Sequence, residues 1–194
     1  MSDLEPRHPA SIRKPRRVVG RSLAFRDVGL ADAAFLVELR TDPEKGRFLS
    51  ATAPDVRAQT EWLERYATSE GQAYFIIEDH GGDSLGCVRL YDARGDSFCW
   101  GSWILRYGAP QTAALESALM VYALGIDHFG FHRAHFDVRK ENERVWTFHE
   151  RFGARRIGET GADYLYTLDG PEIGRSRARY AKFLPEPVTV EWPA

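Results

Sequence analysis

The sequence predicts an α/β fold in which helices pack on a mixed sheet of about seven strands. The predicted elements follow the order strand, two helices, three strands, helix, strand, helix and two strands. Alternating apolar segments flank the turn at residues 80–83, which indicates an antiparallel hairpin. A predicted helix separates two strands within residues 97–139, which indicates a parallel crossover. The sheet is therefore antiparallel in its first half and contains a central βαβα unit with flanking helices.

Length, charge and cysteine content narrow the class of protein. A chain of 194 residues suits one well-cored domain rather than two. A formal net charge of -2 provides no broad basic surface, so we expect neither a nucleic-acid nor a membrane partner. Cys87 and Cys99 fall in apolar strand-like segments, which favours buried reduced thiols and a cytoplasmic location. We find neither a membrane-spanning apolar stretch nor the apolar core of a signal peptide.

The predicted organisation is a basic arm, one folded domain and a C-terminal segment. Residues 1–20 contain three prolines and five Lys or Arg residues with little to bury, which predicts a disordered arm. We interpret this arm as a solvated terminus rather than a contact for an acidic partner such as RNA. The folded domain is expected at 21–170, and a C-terminal helix and tail at 171–194. Outside the central unit, the predicted strands are 23–28, 73–77, 85–91, 156–159 and 164–168, and the predicted helices are 31–39, 54–66 and 172–183.

Residues 97–153 carry most of the functional information. Aromatic and β-branched residues open this segment, as in a buried strand, and apolar residues then recur at helical spacing. Thr112 is the expected N-cap of the helix and Gly130 its stop. The unit comprises a strand (97–105), a turn (106–111), a helix (112–129), a strand (134–139) and a helix that begins after Asn142 and ends at Gly153.

The helix that follows Thr112 has the geometry of an anion site. Its first N–H groups lack intrahelical partners and lie at the positive end of the helix dipole, so the junction suits a phosphorylated ligand. Most such junctions bind nothing, however, so this geometry alone leaves both readings open.

Two stretches of the central unit resemble the GNAT superfamily of acyl-CoA-dependent N-acetyltransferases. One comprises residues 101–103 and 129–133, and the more specific one runs from 137–142 through 148–154. The second resembles the family pattern of a strand, an Asn and then aromatic-Glu-Lys/Arg-x-Gly-Phe, with Ala154 in place of the usual aromatic residue. The resemblance covers roughly residues 21–168 and is strongest to the branch similar to ribosomal-protein N-acetyltransferases. It implies a GNAT-like fold.

The resemblance also implies acetyl-CoA as co-substrate. Family members usually carry Arg/Gln-x-x-Gly-x-Gly/Ala at the pyrophosphate turn, whereas residues 109–114 read Ala-Pro-Gln-Thr-Ala-Ala. The leading basic residue and the middle glycine are missing, and Arg106 or Tyr107 is the expected substitute for the basic residue. The cofactor-binding residues implied are Ile104, Leu105, Arg106, Pro110, Gln111, Thr112, Ala113, Ala114, Asn142 and Trp146.

Two residues match catalytic positions of the family. Asp137 stands five residues before Asn142, where the resembling enzymes place a glutamate that deprotonates the amine through water. His149 stands seven residues after Asn142, where they place a tyrosine that protonates the leaving thiolate. An unperturbed histidine pKa of about 6.5 leaves some imidazolium near neutral pH, which suits an acid. Structural alternatives remain: an Asp137 pair with Arg133 or Arg139, a surface role for His149, and a purely capping role for Asn142.

The expected activity is transfer of an acetyl group from acetyl-CoA to a primary amine by direct attack in a ternary complex. The acceptor is a protein N-terminus, an amino sugar or a small metabolite, and a homodimer remains open. The alternative is a non-catalytic acyl-CoA or effector-binding module. We expect no metal, because His128, His132 and His135 share no helical face and lack a partner Cys motif.

Overall fold

The computed structural model describes residues 10–193, so residues 1–9 of the predicted arm lie outside the described residues. Within this range the strands form one sheet of nine rather than about seven members, and the predicted α/β class is confirmed. The strands are β1 (Arg17–Val19), β2 (Leu23–Asp27), β3 (Ala73–Asp79), β4 (Ser84–Arg94), β5 (Ser97–Leu105), β6 (Arg133–Arg139), β7 (Arg155–Glu159), β8 (Asp163–Asp169) and β9 (Thr189–Glu191).

Within residues 10–193, five α-helices pack on this sheet. Asp55 caps α2 by accepting a hydrogen bond from the Arg57 N–H at 2.8 Å, and a π-helical turn at Leu124–His128 continues α3. Over the described residues, no helix is both long and apolar enough to cross a membrane. The helices are α1 (Ala33–Arg40), α2 (Val56–Thr68), α3 (Ala113–Ala123), α4 (Glu143–Arg151) and α5 (Gly170–Arg179).

The two faces of the sheet bury separate cores. Because side chains alternate across a strand, Tyr74 of β3 faces the core that contains Leu36 of α1. The neighbouring Phe75 faces the core that contains Leu119 of α3. Helices α1 and α2 therefore cover one face, and α3, α4 and α5 cover the other.

The segments at both ends of the described chain belong to the sheet. β1 pairs antiparallel with β2 and with β9, in the strand order β7-β8-β6-β5-β4-β3-β2-β1-β9. Ile12 and Val18 are buried. The expectation of a disordered arm is therefore wrong for residues 10–20, because their few apolar side chains pack and their backbone pairs. The C-terminal tail likewise contributes β9 to the sheet beyond the expected domain limits of 21–170.

The central unit places a gap in the middle of the sheet. β5 and β6 run parallel but pair only over residues 97–99 and 133–135. Beyond this point β5 stays with β4 and β6 stays with β8, so the two strands diverge. Each strand then presents an edge to the other with no ladder between them, and a cleft opens there.

Candidate active site

The cleft between β5 and β6 has a volume of about 180 Å³. Residues of both strands and of α4 line it, and residues 48–50 contribute a further wall. Trp100 and Trp103 of β5 form much of its floor, with ring centroids 5.3 Å apart. The Trp103 Nε1 donates a hydrogen bond to Ser117 Oγ at 3.1 Å, which ties the diverging strand to α3.

The free edge of β5 is shaped by a bulge. The β4–β5 register shifts between Cys87 and Arg89, and Ser102 opposite this shift has a φ of 48°. The Cys87 thiol donates to the Ser102 carbonyl at 3.2 Å and so holds the bulge in place. An exposed strand edge carries unpaired amide groups, which an extended ligand with amide bonds of its own can pair with. The backbone from Trp100 to Leu105 is such an edge.

The turn before α3 accommodates the unusual sequence without strain. Thr112 occupies the N-cap position with φ -79° and ψ -16°, a conformation that does not require glycine, and its side chain makes no cap hydrogen bond. Thr112 is exposed, Ala113 is buried and Ala114 is half-buried. The Ala113 N–H donates to the Pro110 carbonyl at 2.9 Å, whereas the next N–H groups of α3 lack intrahelical partners and have small side chains around them. This junction fits a phosphate-bearing ligand.

The side chains around the turn differ in what they can offer. The Tyr107 hydroxyl donates to Glu44 Oε2 at 2.8 Å, and the Lys45 Nζ lies 3.9 Å from the Tyr107 ring centroid. Arg106 is exposed, and its N–H donates to the Leu85 carbonyl at 2.8 Å. Since Tyr107 is already engaged, Arg106 is the better substitute for the missing basic residue. Gln111 and Pro110 are also exposed.

Ile104 and Leu105, the last residues of β5, can offer a ligand mainly their backbone groups. Ile104 packs in the core beneath α1 and α2, so its side chain is turned away from the cleft. Leu105 packs against the opposite core, and its carbonyl accepts a 2.8 Å hydrogen bond from Lys45 Nζ.

Asn142 precedes α4 but does not cap it through its side chain. Its carbonyl accepts hydrogen bonds from the N–H groups of Val145 and Trp146, at 3.0 and 3.1 Å, while its amide makes no cap bond and lines the cleft. The amide is thus available to a ligand. Trp146 lies elsewhere: its Nε1 donates to the Lys140 carbonyl and its ring packs edge-on against Tyr164. The structure does not bring Trp146 to the cleft lining.

His149 is a buried aromatic neighbour rather than a surface residue. It is 4% exposed, its ring centroid lies 4.3 Å from that of Phe136 and 5.2 Å from that of Trp100, and its Nδ1 has no hydrogen-bond partner among the described residues. Burial lowers the pKa of His149 to about 3, so the ring is neutral at neutral pH. The expected imidazolium is therefore wrong, and an acid role falls to the N–H of the neutral ring.

Asp137 lines the same cleft from β6. Burial and then the nearby Asp163 carboxylate raise the pKa of Asp137. The alternative of a strand ion pair does not match the geometry, since Arg133 pairs with Asp96 at 3.0 Å and Arg139 pairs with Asp163 at 3.3 Å. Among the described residues, the Asp137 side chain forms no hydrogen bond or salt bridge.

Some residues of the site were not predicted from the sequence. Tyr91 lines the cleft, and its hydroxyl lies 3.1 Å from where a Cβ on Gly101 would be, so a side chain there would displace it. Lys45 approaches the end of β5 from the loop after α1. Strand alternation places Tyr91 and Arg89 on one face of β4, but no sequence pattern indicates which long-range neighbours that face meets.

The family model described as an acetyltransferase (GNAT) domain matches residues 22–155 of the chain. The chain therefore belongs to the GNAT acetyltransferase family. The narrower resemblance to ribosomal-protein N-acetyltransferases stays a prediction. No metal-binding group of three or more His, Cys, Asp or Glu residues occurs in the part of the chain that the structure describes.

Solved structures of this GNAT fold are similar to the chain. Apo FdhC, described as a nucleotide-linked sugar GNAT, is 35% identical with a TM-score of 0.78, covering 87% of this chain and 98% of that one. A GCN5-related N-acetyltransferase from Brucella melitensis is 18% identical with a TM-score of 0.74, covering 92% and 90%. The spermidine/spermine N-acetyltransferase SpeG from Vibrio cholerae, in mutant form, is 13% identical with a TM-score of 0.66, covering 79% and 97%. Curated protein sequences yield no match.

Proposed function

We propose that this GNAT protein transfers an acetyl group from acetyl-CoA to a primary amine by direct attack in a ternary complex. The observation that carries the proposal is the cleft itself, where an unpaired carboxylate and an unused amide meet. Asp137 and Asn142 both line it, and within residues 10–193 the Asp137 carboxylate forms no salt bridge and the Asn142 amide makes no cap bond. Two polar side chains in one cleft that remain available to a ligand are typical of a site that acts on one.

The chain's own groups suit acetyl-CoA at one side of this cleft. The N–H groups of Ala114 and Leu115 in the first turn of α3 would hold the pyrophosphate, and Arg106 would add positive charge. The free edge of β5 would pair with the amide groups of the pantetheine arm, with the Asn142 amide opposite. Bound there, acetyl-CoA would supply the thioester that the amine attacks. Holding both reactants in line supplies much of the acceleration.

Proton transfer is assigned to the cleft residues. Asp137 would accept the proton of the amine through a water molecule, because an aspartate reaches less far than a glutamate. Its raised pKa makes its carboxylate a better base than that of an aspartate with the ordinary pKa. His149 would donate only as a neutral ring, a weaker acid than an imidazolium.

An amino sugar is the acceptor that we favour over a protein N-terminus or a small metabolite. Support comes from the 35% identity to FdhC, described as a nucleotide-linked sugar GNAT. Two buried cysteines without a disulfide agree with the proposed cytoplasmic location.

Release of CoA thiol tests this function. We expect the protein to release thiol from acetyl-CoA with at least one amine in a panel of amino sugars, peptides with free N-termini and small amines. Acetyl-CoA should also raise the melting temperature in a concentration-dependent manner. Stabilisation without thiol release would instead support a non-catalytic acyl-CoA-binding module, and no stabilisation at saturating concentrations would contradict both.

A further inference from the structure

A second cavity of about 280 Å³ lies beside the cleft, between α1, α2 and the sheet. Ser50 and Ser102 line both spaces, so the cavity and the cleft adjoin. Its volume approaches the lower end of the range for small-molecule sites, which is about 300 Å³. A ligand that extends from the cleft can therefore continue into it.

The cavity is cationic. Arg40, Arg65 and Arg89 line it, and no Asp or Glu does. The Arg40 guanidinium donates to hydroxyls, to Thr52 Oγ1 at 2.7 Å and to Ser50 Oγ at 2.9 Å. None of the three arginines forms a salt bridge with a carboxylate among residues 10–193. Guanidinium groups gathered without a counter-charge favour an anion, and phosphate most of all, because the planar fork matches its oxygens.

Arg89 is held in a fixed position within the cavity. Its guanidinium lies 5.2 Å from the Trp62 ring centroid and 4.8 Å from that of Tyr91, and it donates to Gln72 Oε1. Its Nε is buried and has no partner among the described residues. Burial without a carboxylate lowers the pKa of Arg89. A preorganised and uncompensated guanidinium is the arrangement that an anionic ligand would complete.

The cavity and the cleft also follow one another along β4. Arg89 lines the cavity and Tyr91 lines the cleft, two residues and roughly 7 Å apart on one face of that strand, so one ligand can contact both spaces. An aromatic wall formed by Trp62 and Tyr74, in edge-on contact at 5.7 Å, completes the cavity and offers a surface for a planar base.

We propose that this cavity binds the diphosphate of a nucleoside-diphosphate-linked amino sugar, while the sugar's amine enters the cleft near Asp137. This inference rests on the proposed acetyltransferase function. Arg40, Arg65 and Arg89 recognise the phosphates, and the cavity thereby selects phosphate-bearing acceptors over free amino sugars.

The test compares three acceptors with the same amine: the free amino sugar, its 1-phosphate and its nucleoside-diphosphate form. We expect kcat/KM to rise by at least about 100-fold from the free sugar to the diphosphate, as two charge-assisted contacts would produce. The 1-phosphate arm separates recognition of one phosphate from recognition of the whole nucleotide. Equal kcat/KM for all three acceptors would overturn the inference.

Substitutions that remove the charge of single arginines test whether this cavity causes the preference for phosphate-bearing acceptors. Arg65→Gln and Arg40→Gln should each raise KM for the diphosphate acceptor about tenfold, which is more than either changes KM for acetyl-CoA or for the free amino sugar. The matched control is Arg57→Gln, which removes the same charge from an exposed residue of the same helix α2 that does not line the cavity. Equal increases of KM in Arg57→Gln and Arg65→Gln would mean that only the overall positive charge attracts the acceptor. That result would overturn the assignment of the cavity.

A binding measurement separates this inference from the proposed function. Uridine or thymidine diphosphate, titrated with saturating CoA present so that the CoA site is blocked, should bind wild type and bind Arg65→Gln about tenfold more weakly. If it does so while no amine is acetylated, the acetyltransferase proposal fails and the cavity assignment holds. If amines are acetylated but neither diphosphate binds, the function holds and the cavity assignment fails.

Discussion

At the scale of single residues, His149 and Asp137 line one cleft in very different surroundings. His149 is surrounded by aromatic rings and stays neutral because burial disfavours its charged form. Asp137 remains accessible to solvent at the cleft, where its carboxylate is only partly desolvated. Asp137, the proposed base, therefore keeps a carboxylate that can titrate, whereas His149, the proposed acid, carries no charge at neutral pH.

Burial of His149 should make the protein less stable in acid. The pKa of His149 is about 3 when folded and about 6.5 when unfolded, so the unfolded chain takes up the proton first. Its contribution to stability is therefore complete above about pH 6.5 and is lost as the pH falls towards 3. Between pH 7 and pH 5, protonation of this histidine should lower the unfolding free energy of wild type by about 2 kcal/mol. We expect His149→Phe to lack this part of the pH dependence.

Urea unfolding of both proteins at the two pH values measures this difference. Parallel pH dependence in wild type and His149→Phe would contradict the buried neutral ring. The same variant tests the acid role: it should lower kcat without changing KM for acetyl-CoA if the ring N–H donates.

Asp137→Asn should lower kcat by about 100-fold at neutral pH, because the amine loses the group that accepts its proton. Raising the pH should partly restore the rate, since more of the amine is then neutral without help. Steady-state kinetics from pH 7 to 9.5 provides the measurement, and Asp83→Asn, at an exposed residue outside the cleft, is the control. An equal loss at every pH would assign Asp137 a structural role only.

At the scale of elements, the position of α3 decides whether the ligand site exists. α3 is anchored from its first turn by Glu116, a carboxylate only 2% exposed that accepts from the N–H groups of Ser22 and Leu23 at 2.7 and 3.0 Å. Trp103 ties the same helix to β5 through Ser117. These polar contacts hold the N-terminal end of α3 beside the diverging strand, where apolar packing alone specifies position less strictly.

Glu116→Leu should destabilise the protein by about 2 kcal/mol, because the buried Leu23 N–H would lose its acceptor. Glu116→Gln keeps one acceptor oxygen at the same site and should cost less than half as much. Urea unfolding gives both values. Equal stability of the two variants would show that the backbone N–H groups find other partners and that Glu116 is not the anchor.

At the scale of the whole molecule, strands from both ends of the described chain complete the sheet. β9 joins β1, which joins β2, so residues far apart in sequence form one side of the sheet. Trp192 follows β9 and packs on Phe129, with the Arg13 guanidinium 4.1 Å from its ring centroid. The terminal segments thus contribute to the core that also supports α3.

Val18→Ala should destabilise the protein by about 2 kcal/mol, since Val18 is fully buried and the change removes two methyl groups from the core. Val56→Ala, at a valine that is 45% exposed, makes the same chemical change outside the core and should have a small effect. Chemical denaturation of both variants is the measurement. Equal stabilities would mean that residues 10–20 do not contribute to the folded core.

How well the sequence predicts each helix or strand of this protein depends on the length of that element. The helix at 112–129 and the strands around it were predicted closely, because a long periodic pattern of apolar residues indicates its element without knowledge of the tertiary contacts. β1 and β9 were missed since three residues are too few to show alternation, and their partners are distant in sequence. In the site, Asp137 and His149 were selected as candidate catalytic residues because their spacing from Asn142 matches the family pattern.

The sequence by itself determined the α/β class, the central βαβα unit and the resemblance to GNAT enzymes, since these depend on local periodicity and motif spacing. Only the tertiary structure decided that His149 is neutral, that Asp137 has no ion-pair partner among the described residues and that three arginines share one cavity. Burial and charge pairing depend on which distant segments meet, and long-range packing sets both. A pKa in particular is a property of the surroundings, which no single stretch of sequence contains.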